Sequence, residues 1–255
     1  MNTIASPSRA TLAKVPAVTL GFWLVKIAAT TLGETAGDTL SMSLGLGYLA
    51  SSVLCAALFL TAVHMQMRAR TFRPARYWLT IIASTTLGTT LADFADRSLG
   101  IGYAGGSAVL VALLVAVLVA WRMTLGTVAV NSVATPAAER FYWATIIAST
   151  TLGTALGDWT ADDAGLGYLG SAAVFGAPLL VLGWLGTRTQ VSRAALFWSA
   201  FVITRPLGAV LGDFLDKPLH QGGLGFDRFG ASAVLLGLVA AGLWLRPQSA
   251  APAAH

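Results

Sequence analysis

Long hydrophobic segments alternate with short polar loops along the chain, and the pattern predicts eight helices, at residues 17–39, 47–67, 75–95, 102–122, 140–160, 167–187, 195–215 and 227–245. Residues 98–121 and 164–187 contain no charged side chain. About 20 apolar residues are enough to cross the hydrocarbon core of a bilayer. The pattern therefore predicts an all-α integral membrane protein with eight transmembrane helices.

The polar and aromatic positions repeat four times. An aromatic–tryptophan pair opens each copy: Phe22-Trp23, Tyr77-Trp78, Tyr142-Trp143 and Phe197-Trp198. An aspartate lies fifteen residues after each tryptophan: Asp38, Asp93, Asp158 and Asp213. A Gly-hydrophobic-Gly-aromatic signature then follows, beginning at Gly45, Gly100, Gly165 and Gly223. Such internal similarity is typical of an architecture built from repeated supersecondary units.

Each repeat holds two helices, so the chain returns to the same side and all four repeats share one orientation. They are then related by a pseudo-symmetric axis along the membrane normal, as in transporters with parallel repeats. We place the repeats at residues 17–70, 71–125, 140–190 and 191–246, with tails at 1–16 and 247–255 and a cytoplasmic linker at 126–139. The first and last pairs of tryptophans are equally spaced, which suggests two halves of two repeats each.

Composition and charge agree with a membrane protein. The chain is 56% hydrophobic and only 11% charged, against roughly 25% charged residues in soluble domains. Eleven basic residues lie before the first helix, between repeats or after the last helix: Arg9, Lys14, Arg68, Arg70, Arg73, Arg76, Arg122, Arg140, Arg188, Arg193 and Arg246. Loops within repeats hold three: Arg97, Lys217 and Arg228. This bias predicts cytoplasmic N- and C-termini. The net charge of +5 then reflects the membrane topology of the chain. We expect the lipid bilayer as a partner and expect no binding to nucleic acid.

Small residues four apart follow the odd-numbered helices: Gly33/Gly37, Gly88/Ala92, Gly153/Gly157 and Gly208/Gly212. Such pairs allow close helix packing in lipid. The tryptophans are interpreted as a belt at the membrane interface. The Gly-Leu-Gly-Tyr signature is interpreted as a tight outer turn, with its carbonyls as additional cation ligands left open as an alternative.

Beside the small residues runs a polar stripe with a spacing of four, which places its members on one helix face. The stripe reads Thr30-Glu34-Asp38, Thr85-Thr89-Asp93, Thr150-Thr154-Asp158 and Arg205-Ala209-Asp213, and Lys26 extends the first copy. Ionised groups inside a bilayer are costly, so they are usually paired or line a polar pathway. Five acids face only two helix-borne bases, so three acids are expected to be protonated, hydrated or bound to a cation.

These residues suggest a transporter of a small inorganic cation. Because no nucleotide-binding motif is present, we expect an ion gradient to drive it. Carboxylate and hydroxyl oxygens favour a hard divalent ion such as Mn²⁺ as the transported substrate. Export of this ion from the cell is the direction considered. The four aspartates and Glu34 would bind metal and protons alternately, the threonines would add neutral ligands, and Lys26 and Arg205 would tune the charge. No other cofactor is expected, the pattern carries no signal for an oligomeric state, and no arrangement for enzymatic catalysis is evident. Two alternatives stay open: aspartates that merely face water at helix ends, and a non-transporting scaffold or sensor.

The repeats are not identical, and their differences predict an asymmetric ring. Glu34 and Lys26 occur only in the first repeat, and Arg205 only in the fourth. If the repeats close in order around an axis, Arg205 and Glu34 become neighbours and pair across the seam. The threonine-lined second and third repeats would then form an open cation path, with Asp93 and Asp158 mattering most for ion binding.

Four tandem two-helix units, each with a characteristic tryptophan and a Thr-Thr-Leu-Gly or Arg-Pro-Leu-Gly continuation, resemble the bacterial membrane proteins built from the DUF347 repeat of unknown function. The resemblance covers residues 17–245, and the fourth copy departs from it at Arg205-Pro206. It implies a multi-pass location in the bacterial inner membrane. It implies no activity, so the functional hypothesis depends on the polar stripe.

Overall fold

The computed structural model describes residues 13–252. Their helices are α1 (Leu20–Asp38), α2 (Gly47–Arg68), α3 (Pro74–Asp93), α4 (Tyr103–Leu125), α5 (Pro136–Asp158), α6 (Gly167–Arg188), α7 (Arg193–Asp216) and α8 (Arg228–Leu245). No strand occurs within these residues. The prediction of eight helices in an all-helical chain is confirmed, with ends within a few residues of those expected. Arg9 and parts of both predicted tails lie outside the described residues.

Local sequence explains where several helices begin. The side chains of Thr19, Ser192 and Asp227 accept hydrogen bonds from backbone N–H groups in the first turns of α1, α7 and α8. Thr135 does the same for α5, and Pro136 follows it at a position where the missing N–H costs nothing. The linker predicted at residues 126–139 is therefore shorter than expected, because α5 begins inside it.

At the opposite end, α1, α3 and α5 finish at the repeat aspartates and continue into five-residue π-helical turns, Thr39–Ser43, Phe94–Ser98 and Trp159–Asp163. The signature glycines then reverse the chain. Gly45 and Gly47 have φ values of +68° and +73°, a region open to glycine but strained for other residues. The prediction of a tight turn at this signature is confirmed.

The odd-numbered helices form a closed inner ring, in which α1 packs on α3, α3 on α5, α5 on α7, and α7 back on α1. The ring is parallel, since Gly33 lies against Thr85 and Gly37, one turn further along α1, lies against Thr89 one turn further along α3. Each even-numbered helix packs mainly on the inner helix of the following repeat: α2 on α3, α4 on α5, α6 on α7, and α8 on α1. The repeats therefore interlock.

Glycine makes this close approach possible. A Cβ added to the first small residue of each pair would overlap the first stripe residue of the next repeat. The contacts are Gly33 with Thr85, Gly88 with Thr150, Gly153 with Arg205, and Gly208 with Thr30. The predicted small-residue faces are thus the seams of the inner ring.

Five of the helices within residues 13–252 are long and apolar enough to cross a membrane: α2, α4, α6, α7 and α8. The four outer helices bury little of their surface inside the bundle and expose leucine and valine side chains, such as Leu58, Leu113, Leu180 and Leu236. The inner helices α1, α3 and α5 do not reach the same hydropathy, because they carry many threonines. Those threonines are largely buried among neighbouring helices.

The aromatic–tryptophan pairs meet inside the bundle near the start of the inner helices. Each first aromatic packs on the tryptophan of the next repeat, with ring centroids at 5.5 Å for Phe22–Trp78, 5.9 Å for Tyr77–Trp143, 5.9 Å for Tyr142–Trp198 and 5.8 Å for Phe197–Trp23. Trp78, Trp121, Trp143 and Trp198 are buried. The interfacial-belt interpretation is wrong for these four tryptophans, because they pack inside the bundle and not at a lipid interface. Trp184 and Trp244 are 60% and 80% exposed.

The described terminal segments meet at this aromatic end. Ala13 N–H donates to Ala251 O at 3.1 Å, and an isolated antiparallel bridge joins Pro16 to Ala250. Lys14 forms an ion pair of 2.7 Å with Glu139 near the start of α5, and its ammonium also donates to Met67 O near the end of α2. The two described terminal segments and the connections between repeats therefore share one end of the molecule.

The glycine seams lead to a direct test. A Cβ at Gly208 would lie 2.6 Å from Thr30 Cβ and 3.0 Å from its backbone carbon, so Gly208→Ala should lower the free energy of unfolding by about 1–3 kcal/mol. Gly237→Ala on α8 is the matched control, since no atom lies within 4 Å of the added Cβ. It should be neutral or slightly stabilising. Thermal unfolding of the purified variants in detergent measures both, and equal effects would contradict the seam.

Candidate functional site

A guanidinium lies at the centre of the inner ring. Arg205 of α7 is fully buried and donates to Glu34 Oε2 of α1 at 3.0 Å, Thr89 Oγ1 of α3 at 2.6 Å and Thr154 Oγ1 of α5 at 2.7 Å. All four repeats thus contribute one residue to the network. The predicted contact between Arg205 and Glu34 across the seam is present.

Main-chain groups complete this network. Arg205 also donates to the carbonyl oxygens of Thr30 at 3.5 Å and Thr85 at 3.2 Å. The Thr89 hydroxyl accepts from Arg205 and donates onward to Glu34 Oε2 at 3.1 Å. Both terminal nitrogens of the guanidinium therefore have acceptors, as a buried charge requires, whereas Nε has no hydrogen-bond partner within residues 13–252.

The predicted open path along the second and third repeats is wrong for this conformation, because Arg205 reaches across the ring to Thr89 and Thr154. The other stripe hydroxyls serve the backbone. Thr30 donates to Lys26 O, Thr85 to Ala29 O and Thr150 to Ser84 O. Only two of the five threonines therefore face the central network.

Lys26 lies one turn before Thr30 and is 1% exposed. Its Nζ is 3.7 Å from the centroid of the Phe201 ring and has no hydrogen-bond partner within residues 13–252. Among the described residues no carboxylate pairs with Lys26, because an aromatic ring rather than an acid lies at this level. A cation–π contact takes its place.

The four repeat aspartates are buried at the end of the inner ring opposite the aromatic pairs, which we call the outer end. They form two bridged pairs. Arg97 Nε lies 2.8 Å from Asp93 Oδ1, and Arg97 Nη2 lies 3.7 Å from Asp158 Oδ2. Lys217 Nζ lies 2.9 Å from Asp38 Oδ2 and 3.1 Å from Asp213 Oδ1. The aspartates therefore neither converge on one point nor merely face water.

The two bridges are related by a pseudo-two-fold axis. Arg97 and Lys217 each follow the aspartate of their own repeat by four residues and reach to the aspartate of the next repeat in the ring. The corresponding positions of the first and third repeats are Met42 and Asp162. Sequence reasoning missed these bridges because the charge count included only helix-borne bases. The spacing of four was the available signal.

Both bridging bases are charged. Burial lowers the pKa of Lys217, but the nearby Asp213 and Asp38 raise it by more, so that its pKa lies above the ordinary value for lysine. Burial likewise opposes the charge of Arg97, and Asp93 with Asp158 more than restores it, which leaves its pKa raised. Neither base can leave its carboxylates by losing a proton near neutral pH.

One bridge carries a third carboxylate. Asp216, which lies outside the polar stripe, is the last residue of α7 and is buried. One carboxylate oxygen from each of Asp38, Asp213 and Asp216 lies within 4.8 Å of the others. Arg228 Nε contacts Asp216 Oδ2 at 2.9 Å and Asp38 Oδ2 at 3.7 Å. Five carboxylates therefore surround three bases at the outer end.

A polar cavity of about 350 Å³ opens above the aspartates. Its lining residues are Met42, Tyr48, Arg97, Asp162, Tyr168, Lys217, Pro218, Gln221 and Arg228. Tyr48 and Tyr168 are the signature tyrosines of the first and third repeats. At about 30 Å³ per water, the cavity has room for a hydrated ion and for moving side chains. We call this cavity the vestibule.

Comparison with known proteins agrees with the fourfold pattern. No curated protein and no solved structure matches this chain. A family model described as Repeat of Unknown Function (DUF347) matches four times, at residues 21–72, 76–127, 141–192 and 196–249. The four matches cover most of the sequence, and the chain therefore belongs to the DUF347 repeat family.

Proposed function

We propose that this protein is a multi-pass transporter of the bacterial inner membrane and that it carries a small inorganic cation, with a divalent metal such as Mn²⁺ as the substrate. The observation that carries the proposal is the layer of five buried carboxylates beneath an open polar vestibule. Ionisable groups at membrane depth usually mark ion pathways. Side-chain oxygens are the ligands that hard divalent ions prefer.

In this proposal all eight helices span the bilayer. The four outer helices meet the lipid, and the threonine-rich inner helices are screened from it by their neighbours. The excess of basic residues at the aromatic end supports cytoplasmic termini, and the vestibule would then open on the outer side. The structure supports the relative arrangement, because the described terminal segments and the connections between repeats lie at the end opposite the vestibule.

The chemistry of the site suggests how a cation would move. Lys217 and Arg97 act as tethered counter-ions that neutralise the aspartates while no metal is bound. Below them, the Arg205 network and the layer of aromatic pairs close the bundle toward the cytoplasmic end. Transport then requires that these two closures open while the vestibule shuts, as in the alternating access of repeat transporters.

A gradient would drive the cycle. A carboxylate that releases metal can take up a proton, because desolvation disfavours its charged form. Exchange of a metal ion against protons on the aspartates and Glu34 couples the two fluxes. In the exporting direction, metal would leave the carboxylates through the vestibule.

A scaffold or sensor without transport is the second candidate. The network of Arg205 with Glu34, Thr89 and Thr154 favours it, because these side chains bond to one another across the centre of the inner ring. The bridged carboxylates and the vestibule favour the transporter, because a packing module needs neither.

Flux through proteoliposomes tests the transport proposal. Asp38→Asn and Asp213→Asn should each lower Mn²⁺ flux by about tenfold or more, a loss that even outer-shell partners of a metal produce. Asp163→Asn is the matched control, since Asp163 is exposed in the outer turn and takes no part in the bridges. Unchanged flux of every divalent cation in both variants would contradict transport through these carboxylates.

Reporter fusions test the proposed topology. Fusions at Arg70, Val130 and Gln190 should report the cytoplasm, because these residues lie in connections between repeats. A fusion at Asp96, beside the vestibule, should report the periplasm. Any fusion that reports the opposite side would contradict the arrangement of four repeats in one orientation.

A further inference from the structure

The two bridges at the outer end differ in one respect that bears on metal binding. Asp216 lies three residues after Asp213, and its counterpart in the second repeat is Asp96, three residues after Asp93. Asp216 joins the close group with Asp38 and Asp213, whereas no such group forms around Asp93 and Asp158 within residues 13–252. The pseudo-two-fold symmetry is therefore broken in favour of one side.

The Asp216 side chain is 1% exposed, and only one of its two carboxylate oxygens accepts a hydrogen bond. Its Oδ2 accepts from Arg228, while its buried Oδ1 has no hydrogen-bond partner in the part of the chain described. A buried carboxylate oxygen without a partner costs free energy, and such a group calls for a ligand. Asp93 Oδ2 and Asp96 Oδ1 at the other bridge also lack partners among the described residues, but there no third carboxylate joins a close group. The unpaired oxygen of Asp216 therefore counts together with the grouping of three carboxylates within 4.8 Å.

The Lys217 ammonium bonds to Asp38 and Asp213 at 2.9 and 3.1 Å, as a small bound cation would. If this one side chain moves away, Asp213 Oδ1 loses its ion-pair partner and Asp38 Oδ2 keeps only the 3.7 Å contact with Arg228. Asp216 Oδ1 already has no partner among the described residues. A single displacement thus provides at least one oxygen from each of three carboxylates.

Charge decides between ion classes. Three carboxylates with Arg228 left in place carry two negative charges in excess once Lys217 has withdrawn. A divalent cation neutralises that excess, and a monovalent cation leaves half of it. Desolvated sites penalise uncompensated charge, so the exchange favours a divalent ion.

The Lys217 side chain has space to move into the vestibule. Its side chain lines the vestibule, and its long flexible stem allows the ammonium to reach water there. Its backbone is fixed, since Lys217 N–H donates to Asp213 O at 2.8 Å and Lys217 O accepts from Gly225 N–H at 2.8 Å. Only the side chain needs to move. At the other bridge, Arg97 holds both aspartates with a planar guanidinium that contacts each through a different nitrogen.

We propose that Asp38, Asp213 and Asp216 form a single site for a hard divalent cation and that Lys217 is its tethered competitor, which must swing into the vestibule before the metal binds. This inference deepens the proposed transport function and rests on it for its physiological meaning. It replaces the expectation that Asp93 and Asp158 carry ion binding.

Titration of the purified full-length protein with Mn²⁺ tests the site, with free Mn²⁺ followed by its electron paramagnetic resonance signal. Lys217→Met should bind Mn²⁺ about tenfold more tightly or better than the unmodified protein, because a competing charge a few ångströms away is removed. A misfolded variant cannot give tighter stoichiometric binding, so this gain is informative whatever the other variants do.

Asp216→Asn in the Lys217→Met background should weaken binding by about tenfold or more, as loss of a ligand does. Asp96→Asn in the same background is the matched control and should leave the affinity unchanged. The site is wrong if Lys217→Met binds no more tightly, or if the two asparagine variants behave alike. Binding as expected without any Mn²⁺ flux would overturn transport and keep the site. Flux that depends on the aspartates, with Mn²⁺ binding insensitive to positions 216 and 217, would overturn the site and keep transport.

Discussion

A permanently charged guanidinium at the centre of a closed helical ring is the constraint on which the inner bundle depends. Arginine cannot shed its proton inside a protein, so its burial must be compensated by acceptors. The ring supplies a carboxylate from the first repeat, hydroxyls from the second and third, and two carbonyls. Gly153 leaves the space that the arginine stem occupies, since a Cβ there would overlap it. Fourfold repetition in sequence thus becomes an asymmetric network in space.

Above this level the molecule behaves as two halves. Each half of the outer layer contains two aspartates joined by one base, and each base reaches from its own repeat to the next. The same step from one repeat to the next occurs in the glycine seams, in the aromatic pairs and in the docking of the outer helices. This interlocking holds the buried charges at fixed distances around the axis. In the proposed transport, this carboxylate layer exchanges its tethered bases for a mobile cation.

The sequence predicted much of this architecture, because repeats and hydrophobic segments are local signals. The eight helices, the turns at Gly45 and Gly47, and the pairing of Glu34 with Arg205 all follow from periodicity and ring closure. The position of Trp78 and Trp198 did not follow, since an aromatic residue at a helix start fits a lipid interface and a buried seam equally well. The docking of α2 on α3 depends on packing between distant segments. The roles of Lys217 and Arg97 were missed because both residues were counted as loop charges.

Unfolding of variants at the central pair measures the main claim of this account. Glu34→Met leaves the Arg205 charge buried without its carboxylate, whereas Arg205→Met leaves a carboxyl group that still accepts from the hydroxyls of Thr89 and Thr154. The double variant Glu34→Met with Arg205→Met removes both charges, and well-packed apolar replacement of a buried pair is often neutral. Thermal unfolding in detergent should therefore show Glu34→Met as the least stable, by about 3–5 kcal/mol, with the double variant clearly more stable than Glu34→Met alone. Losses that simply add in the double variant would contradict a structure organised around this pair.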